Sequence, residues 1–183
     1  MRKRELKNIE WSILIFAILL SIIGLVALFS ATQSTNHDEF NKQCIWLGVS
    51  LVIMIVVMFI DYQTLVKMSP IFYGLFIILL IGVLFTPEIN GARSWFDIGF
   101  FSFQPGEFAK VFVILFLAMA INRIQERGKS EINRPTKLLI LMAILGVPLL
   151  LIIKQPDFGT GMAFIVAMAL MLITAGLDKK YII

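Results

Sequence analysis

Residues 11–31 read WSILIFAILLSIIGLVALFSA, a run of twenty-one residues without one charge. A helix needs about 20 such residues to cross a hydrocarbon layer roughly 30 Å thick, so the stretch predicts a membrane span. The basic MRKRELK ahead of it and the small Ser30 and Ala31 at its end imitate a secretory signal. Its apolar part outruns a typical signal core and further apolar runs follow, so it reads as a retained helix.

Working outward, five more apolar runs appear at about 44–60, 70–85, 107–121, 138–153 and 158–176. Of 183 residues, 59% are hydrophobic and 15% charged, whereas soluble domains are about half apolar and a quarter charged. A water-soluble globular domain is excluded, and the six runs leave no length for a sizeable one beside them. The expected fold is an all-α integral membrane protein of six transmembrane helices, one domain over 1–183.

Placement of charge sets the expected topology. With the N-terminus in the cytoplasm, that side collects Arg2, Lys3, Arg4, Lys7, Lys67, Arg123, Arg127, Lys129, Arg134, Lys137, Lys179 and Lys180, against Lys42, Arg93, Lys110 and Lys154 opposite. Such an asymmetry in short loops puts both termini inside and loop 86–106 and the Lys154–Asp157 break outside. The single Cys44 excludes an internal disulfide, and the single histidine, His37, reads as a solvated loop residue, so no cysteine- or histidine-built metal site is expected. After Lys180 the apolar character resumes at Tyr181, Ile182 and Ile183, like the start of a seventh helix in a longer membrane protein.

Loop 86–106, TPEINGARSWFDIGFFSFQPG, is the most distinctive stretch. Asn90 and Gly91 mark a turn, and Trp95, Phe96, Phe100, Phe101 and Phe103 suit the headgroup layer, where a ring keeps one edge near water. Taken structurally, they form a belt anchoring the next helix. Taken functionally, Arg93 beside them offers a planar guanidinium suited to gripping phosphate or pyrophosphate at two points. Gln104, Pro105 and Gly106 then lead into a helix with Glu107 and Lys110 on one face. Ionised groups near membrane depth are costly and need a partner. The two either snorkel to the interface or pair toward the bundle interior as the charged wall of a cavity for a polar headgroup.

The other candidate is KQPDFGTG, residues 154–161. Two spans meet here with almost no linker, so Lys154, Gln155, Pro156 and Asp157 lie at the membrane surface. Pro156 is expected to open the sixth helix with Asp157 in its first turn, where a carboxylate is favoured. A tight hairpin explains the composition, and so does a second acidic group for a shared cavity. Gly146 and Pro148 fall mid-span, where a kink is expected and a neighbouring helix can satisfy the freed carbonyl.

GARSWFDIGFFSFQPGEFAKV (91–111) resembles the signature of the SEDS family of bacterial membrane proteins (shape, elongation, division and sporulation), roughly G-A-x-x-W-x-x-x-G-x-x-x-x-Q-P-S-E-[FL]-A-K. KQPDFGTG looks like the family's second short signature, and the lysine-glutamine pair before Pro156 looks more like the elongation, rod-shape branch than the division branch. The resemblance implies a ten-span bundle, of which this chain would be the N-terminal half. It also implies a peptidoglycan glycosyltransferase that polymerises lipid II, an undecaprenyl-pyrophosphate-linked disaccharide pentapeptide, at the outer face of the bacterial cytoplasmic membrane.

By motif position, Arg93, Trp95, Gln104, Pro105, Glu107, Lys110, Gln155 and Asp157 would line or support the substrate cavity. Gly106 departs from the family's usual serine, which removes a side-chain helix cap that glycine replaces tolerably. The family's essential aspartate lies in a large outer loop beyond the sixth span, for which this chain has no position, so no catalytic residue is expected within it and the chain alone is expected to be inactive. The implied partners are lipid II, a class B penicillin-binding protein that cross-links the glycan, and membrane lipids, with no nucleic acid. No cofactor is expected; a divalent cation at the pyrophosphate is left open. A lipid-linked precursor flippase and a non-catalytic partner of a cell-wall synthase are the competing readings. A flippase needs a charged path to the cytoplasmic face, whereas the membrane-depth charges here cluster at outer helix ends.

Overall fold

The computed structural model describes residues 10–33, 38–89, 91–99 and 101–181. Arg2, Lys3, Arg4, Lys7, His37, Asn90, Phe100, Ile182 and Ile183, on which readings above fall, lie outside the described residues. Six α-helices follow in chain order: α1 (Trp11–Ala31), α2 (Asp38–Met58), α3 (Tyr62–Val83), α4 (Pro105–Gln125), α5 (Pro135–Lys154) and α6 (Phe158–Thr174). A two-stranded antiparallel hairpin, β1 (Phe96–Asp97) with β2 (Ser102–Phe103), lies between α3 and α4, with Phe96 opposite Phe103.

Helices α1, α2, α3 and α5 are long and apolar enough on their own to cross a membrane. The apolar α6 has 17 residues, which at 1.5 Å per residue reaches about 26 Å, slightly under a bilayer core. Helix α4 has 21 residues but carries Glu107, Lys110 and Arg123. Several helices outrun their apolar runs. Helix α2 starts at Asp38 because Asp38 and Glu39 sit in the first turn, where the helix dipole favours carboxylates. Helix α3 starts at Tyr62 because the Asp61 carboxylate caps it, accepting from the Gln63 N–H at 3.1 Å.

The chain forms two compact units, residues 1–60 and 61–183. In the first, α1 and α2 bury no side chain. Phe29 and Phe40 meet edge to face with centroids 5.3 Å apart, within the favourable range for such pairs.

The second unit packs α3 to α6 around two adjoining cores. Phe76, Leu80, Ala109, Val113, Leu145, Ile152 and Phe164 make one. Leu117, Ile121, Ile132, Leu141 and Leu172 make the other, toward the α4–α5 connection. Each of two prolines inside helices removes a backbone donor and frees the carbonyl four residues earlier. For Pro70 in α3 that carbonyl is Val66, and the buried Ser69 hydroxyl donates to it at 2.7 Å. For Pro148 in α5 it is Ile144, and the Tyr73 hydroxyl of α3 donates to it at 3.0 Å. The neighbouring helix thus satisfies the carbonyl that Pro148 frees.

The end opposite the candidate site is closed by caps. Gly176, with φ +88°, lets the chain turn after α6 so that the Leu177 N–H reaches the Leu172 carbonyl and the Gly176 N–H the Ile173 carbonyl. Asn133 clasps that turn, donating to Asp178 at 2.9 Å and accepting from the Asp178 N–H at 2.8 Å. Tyr181 closes a short 3-10 turn, Lys179–Tyr181.

Candidate functional site

The last turn of α3 tightens: the Leu84 N–H turns to the Ile81 carbonyl, and those of Phe85 and Thr86 to Gly82 and Val83. This leaves the Leu80 carbonyl an orphan of the helix C-terminus, and a buried orphan needs a donor from elsewhere. Gln155 supplies it. Its side chain, only 1% exposed, donates from Nε2 to the Leu80 carbonyl at 3.2 Å. The Gln155 backbone carbonyl in turn accepts from the Arg93 N–H at 3.2 Å. One residue of the α5–α6 turn therefore fixes both the end of α3 and the loop that carries Arg93.

A second tie lies beside it. The Gln104 side-chain amide donates to Asp157 Oδ2 at 2.9 Å, and Asp157 Oδ1 accepts from the Thr160 N–H at 3.1 Å. Asp157 is the cap of α6 and Pro156 lies outside the helix, which starts at Phe158, two residues later than expected, because the carboxylate is better used receiving a free N–H of the first turn. Pro105 is the first residue of α4, where its missing N–H costs nothing. Gln104, with no side-chain cap bond, is the α4 cap. Gly106 is inside the helix, so a serine there would not be the cap expected from the motif. A Cβ on Gly106 would stand 3.4 Å from Thr160 Cγ2, so α4 and α6 run close together here.

Glu107 and Lys110 form the expected pair, with Nζ and Oε1 2.7 Å apart; their side chains are 52% and 26% exposed respectively. The arrangement is intermediate between the two expectations: the carboxylate faces out and the ammonium lies half sheltered. The Arg93 side chain is exposed and makes no ion pair among the described residues, and Trp95 is half-buried. The aromatic residues form a ladder as well as an interfacial belt. Phe72 stacks on Phe112 (4.5 Å), Phe112 on Phe76 (5.3 Å) and Phe76 on Phe108 (6.2 Å), and Phe108 meets Phe103 (5.1 Å). The hairpin is so fastened to α3 and α4, and the Phe96 ring closes 3.4 Å from the position a Gly82 Cβ would take.

A hollow of about 120 Å³ opens between α4, α5 and α6, lined by Lys110 and by apolar side chains including Val113, Leu117, Leu145, Phe164 and Met168. It does not extend to Arg93, Glu107 or Asp157. Arg93 with Gln155 and Gln104 with Asp157 are therefore tied at one end of the second unit, with Pro105, Glu107 and Lys110 following in the first two turns of α4 and Lys110 at the edge of the apolar hollow. Among the described residues no three acidic or metal-ligating side chains come together. Both Asp157 oxygens accept hydrogen bonds, and one Glu107 oxygen is held by Lys110.

Sequence reasoning singled out Gln155 but gave it no mechanism, because the orphaned Leu80 carbonyl arises only when α3 tightens. Tyr73 and Asn133 escaped it altogether. Pro148 gave a signal for Tyr73, since it identifies the carbonyl in need of a donor, but not the donor.

The FtsW/RodA/SpoVE family model, described as cell cycle protein, matches residues 10–183. Peptidoglycan glycosyltransferase RodA of Treponema pallidum is 30% identical over 100% of this chain and 42% of its own length. The probable peptidoglycan glycosyltransferase FtsW of Geobacter sulfurreducens is 31% identical over 98% of this chain and 50% of its own. In the crystal structure of the rod shape determining protein RodA of Thermus thermophilus, 55% of that chain superposes on 93% of this one with a TM-score of 0.82 at 27% identity. The chain spans about half the length of the curated relatives it matches. Relatives with RodA and FtsW names match at nearly equal identity, so identity does not separate the elongation and division branches.

Proposed function

We propose, given that this chain belongs to the FtsW/RodA/SpoVE family of multi-pass bacterial membrane proteins, that it supplies the N-terminal half of a peptidoglycan glycosyltransferase that polymerises lipid II. The observation that carries the reading is the joining of both motif segments by Arg93–Gln155 and Gln104–Asp157 at one end of α3 to α6. The charge asymmetry of the sequence turns that end outward.

There the exposed Arg93 guanidinium is suited to grip the pyrophosphate of lipid II, with Lys110 a second cation above an apolar hollow fit for the first part of a polyprenyl chain. Cations at the departing pyrophosphate stabilise the charge that develops as the glycosidic bond forms. A carboxylate must also take the proton of the acceptor sugar hydroxyl. Asp157, whose oxygens hold Gln104 and the Thr160 N–H, and Glu107, paired with Lys110 through one oxygen, are read as supports of the site; the base is assigned to the outer-loop aspartate that the family resemblance implies beyond the sixth span. Any divalent cation would be held by the pyrophosphate. A class B penicillin-binding protein that cross-links the product is the proposed partner.

The flippase reading lacks support here. The described ionised groups of α3 to α6 lie within two turns of a helix end, which suits binding at one face better than a path across. The test replaces the matching part of Treponema pallidum RodA with this chain and supplies membranes with labelled lipid II. Long glycan strands on a gel are expected. No strands, from a folded chimera beside an active parent, would overturn the reading and favour a non-catalytic partner.

A further inference from the structure

The Tyr73 hydroxyl donates to the Ile144 carbonyl across two helices, 3.0 Å away. That carbonyl lacks a helical donor because residue 148 is proline. The other helix-interior proline is handled differently: Ser69 satisfies Val66 within α3 itself. Tyr73 instead ties one helix to another, at a particular place. On α5, Leu141 belongs to one core and Leu145 and Ile152 to the other. The hollow beside Val113, Leu117, Leu145 and Met168 opens at that same seam, and Met168 packs against both cores. Helix α5 thus packs one segment against each core, with Pro148 interrupting its hydrogen-bond ladder near where they meet, and the second segment leads directly to Gln155 and Asp157.

We propose that Tyr73 is a positioning residue for the motif site: by holding the carbonyl that Pro148 frees, its hydroxyl fixes the angle at which the second half of α5 delivers Gln155 and Asp157. Without the hydroxyl the carbonyl is unpaired away from water, and this half of α5 samples other angles. Arg93 and Gln104 then keep their partners in only a fraction of molecules, and apparent affinity for a ligand falls by that fraction. The binding arm of the test rests on the lipid II reading above; the exchange arm does not.

Tyr73→Phe removes one oxygen and keeps the ring, whose centroid lies 5.0 Å from that of Phe116. Fluorescent lipid II is titrated onto the full chain in nanodiscs. The variant is expected to raise Kd about three- to tenfold with the number of sites unchanged, because saturating ligand draws every molecule to the competent angle. An unchanged Kd, whether sites are lost or kept, overturns the proposal. So does an equal rise in Ser69→Ala, which loses the corresponding bond within α3. If the unsubstituted chain binds no lipid II, the site reading fails and hydrogen exchange decides on Tyr73. The Arg93 amide, bonded to the Gln155 carbonyl, is expected to exchange faster in Tyr73→Phe and at the parent rate in Ser69→Ala; equal rates in all three overturn the proposal.

Discussion

Gln155→Met isolates the brace on which the site depends. Methionine matches glutamine in length and fills the same buried space, but it cannot donate to the Leu80 carbonyl that Gln155 Nε2 reaches at 3.2 Å. That carbonyl has no helical donor, since the Leu84 N–H turns to Ile81. Leaving a buried acceptor unsatisfied costs about 1–3 kcal/mol, whereas side-chain bonds between membrane helices average about 0.6 and reach about 1.7 kcal/mol. A loss of about 1–1.7 kcal/mol is therefore expected for Gln155→Met, where those two ranges overlap. The backbone carbonyl that holds Arg93 survives the change, so the loop should loosen without detaching. Gln155→Ala should lose about 1 kcal/mol more, for the space vacated by the side chain. Reversible unfolding in mixed SDS micelles reads both values. A Gln155→Met variant as stable as the parent would show that the Leu80 carbonyl is satisfied some other way and that the brace is not one.

Asp157→Ala removes the α6 cap and the Gln104 partner and should destabilise the chain by about 2 kcal/mol in the same assay; Asp157→Asn should lose about half as much, because its oxygen can still cap, and equal losses would contradict the dual role. Gly176→Ala forces an L side chain into the left-handed turn at φ +88° and should cost about 1–2 kcal/mol; a neutral result would argue against that turn. Gly106→Ser puts a Cβ 3.4 Å from Thr160 at a buried position and should cost about 1 kcal/mol or less; a loss of several kcal/mol would contradict the α4–α6 spacing. Glu107→Ala opens a half-exposed pair and should cost under about 1 kcal/mol of stability while weakening lipid II binding several-fold, and unaltered binding would remove the pair from the site.

The spans were legible because hydropathy over twenty residues integrates many weak preferences, and WSILIFAILLSIIGLVALFSA leaves no alternative. The place of Pro105 at the start of α4 could be read from proline's missing N–H alone, and the Glu107–Lys110 pairing from helical spacing. Tertiary facts were not legible in the same way. That Asp157 caps α6 while receiving Gln104, 53 residues away in the chain, depends on α4 and α6 approaching at Gly106 and Thr160. The Phe72–Phe103 ladder was half-read: the rings announced an interface, but their stacking order needs α3 against α4. Whether Glu107 and Lys110 snorkel outward or wall a cavity was not legible, because no local pattern reports which way ionised side chains face.

The most direct measurement is photo-crosslinking of lipid II carrying a photoreactive group on its headgroup to this chain in nanodiscs, with the sites of attachment mapped by mass spectrometry. Attachment within residues 91–110 and 154–161, suppressed by unlabelled lipid II and weakened in Arg93→Ala, is expected if the paired motif segments hold the anionic head. Attachment spread along the helices, or indifferent to competitor and to Arg93, would contradict it.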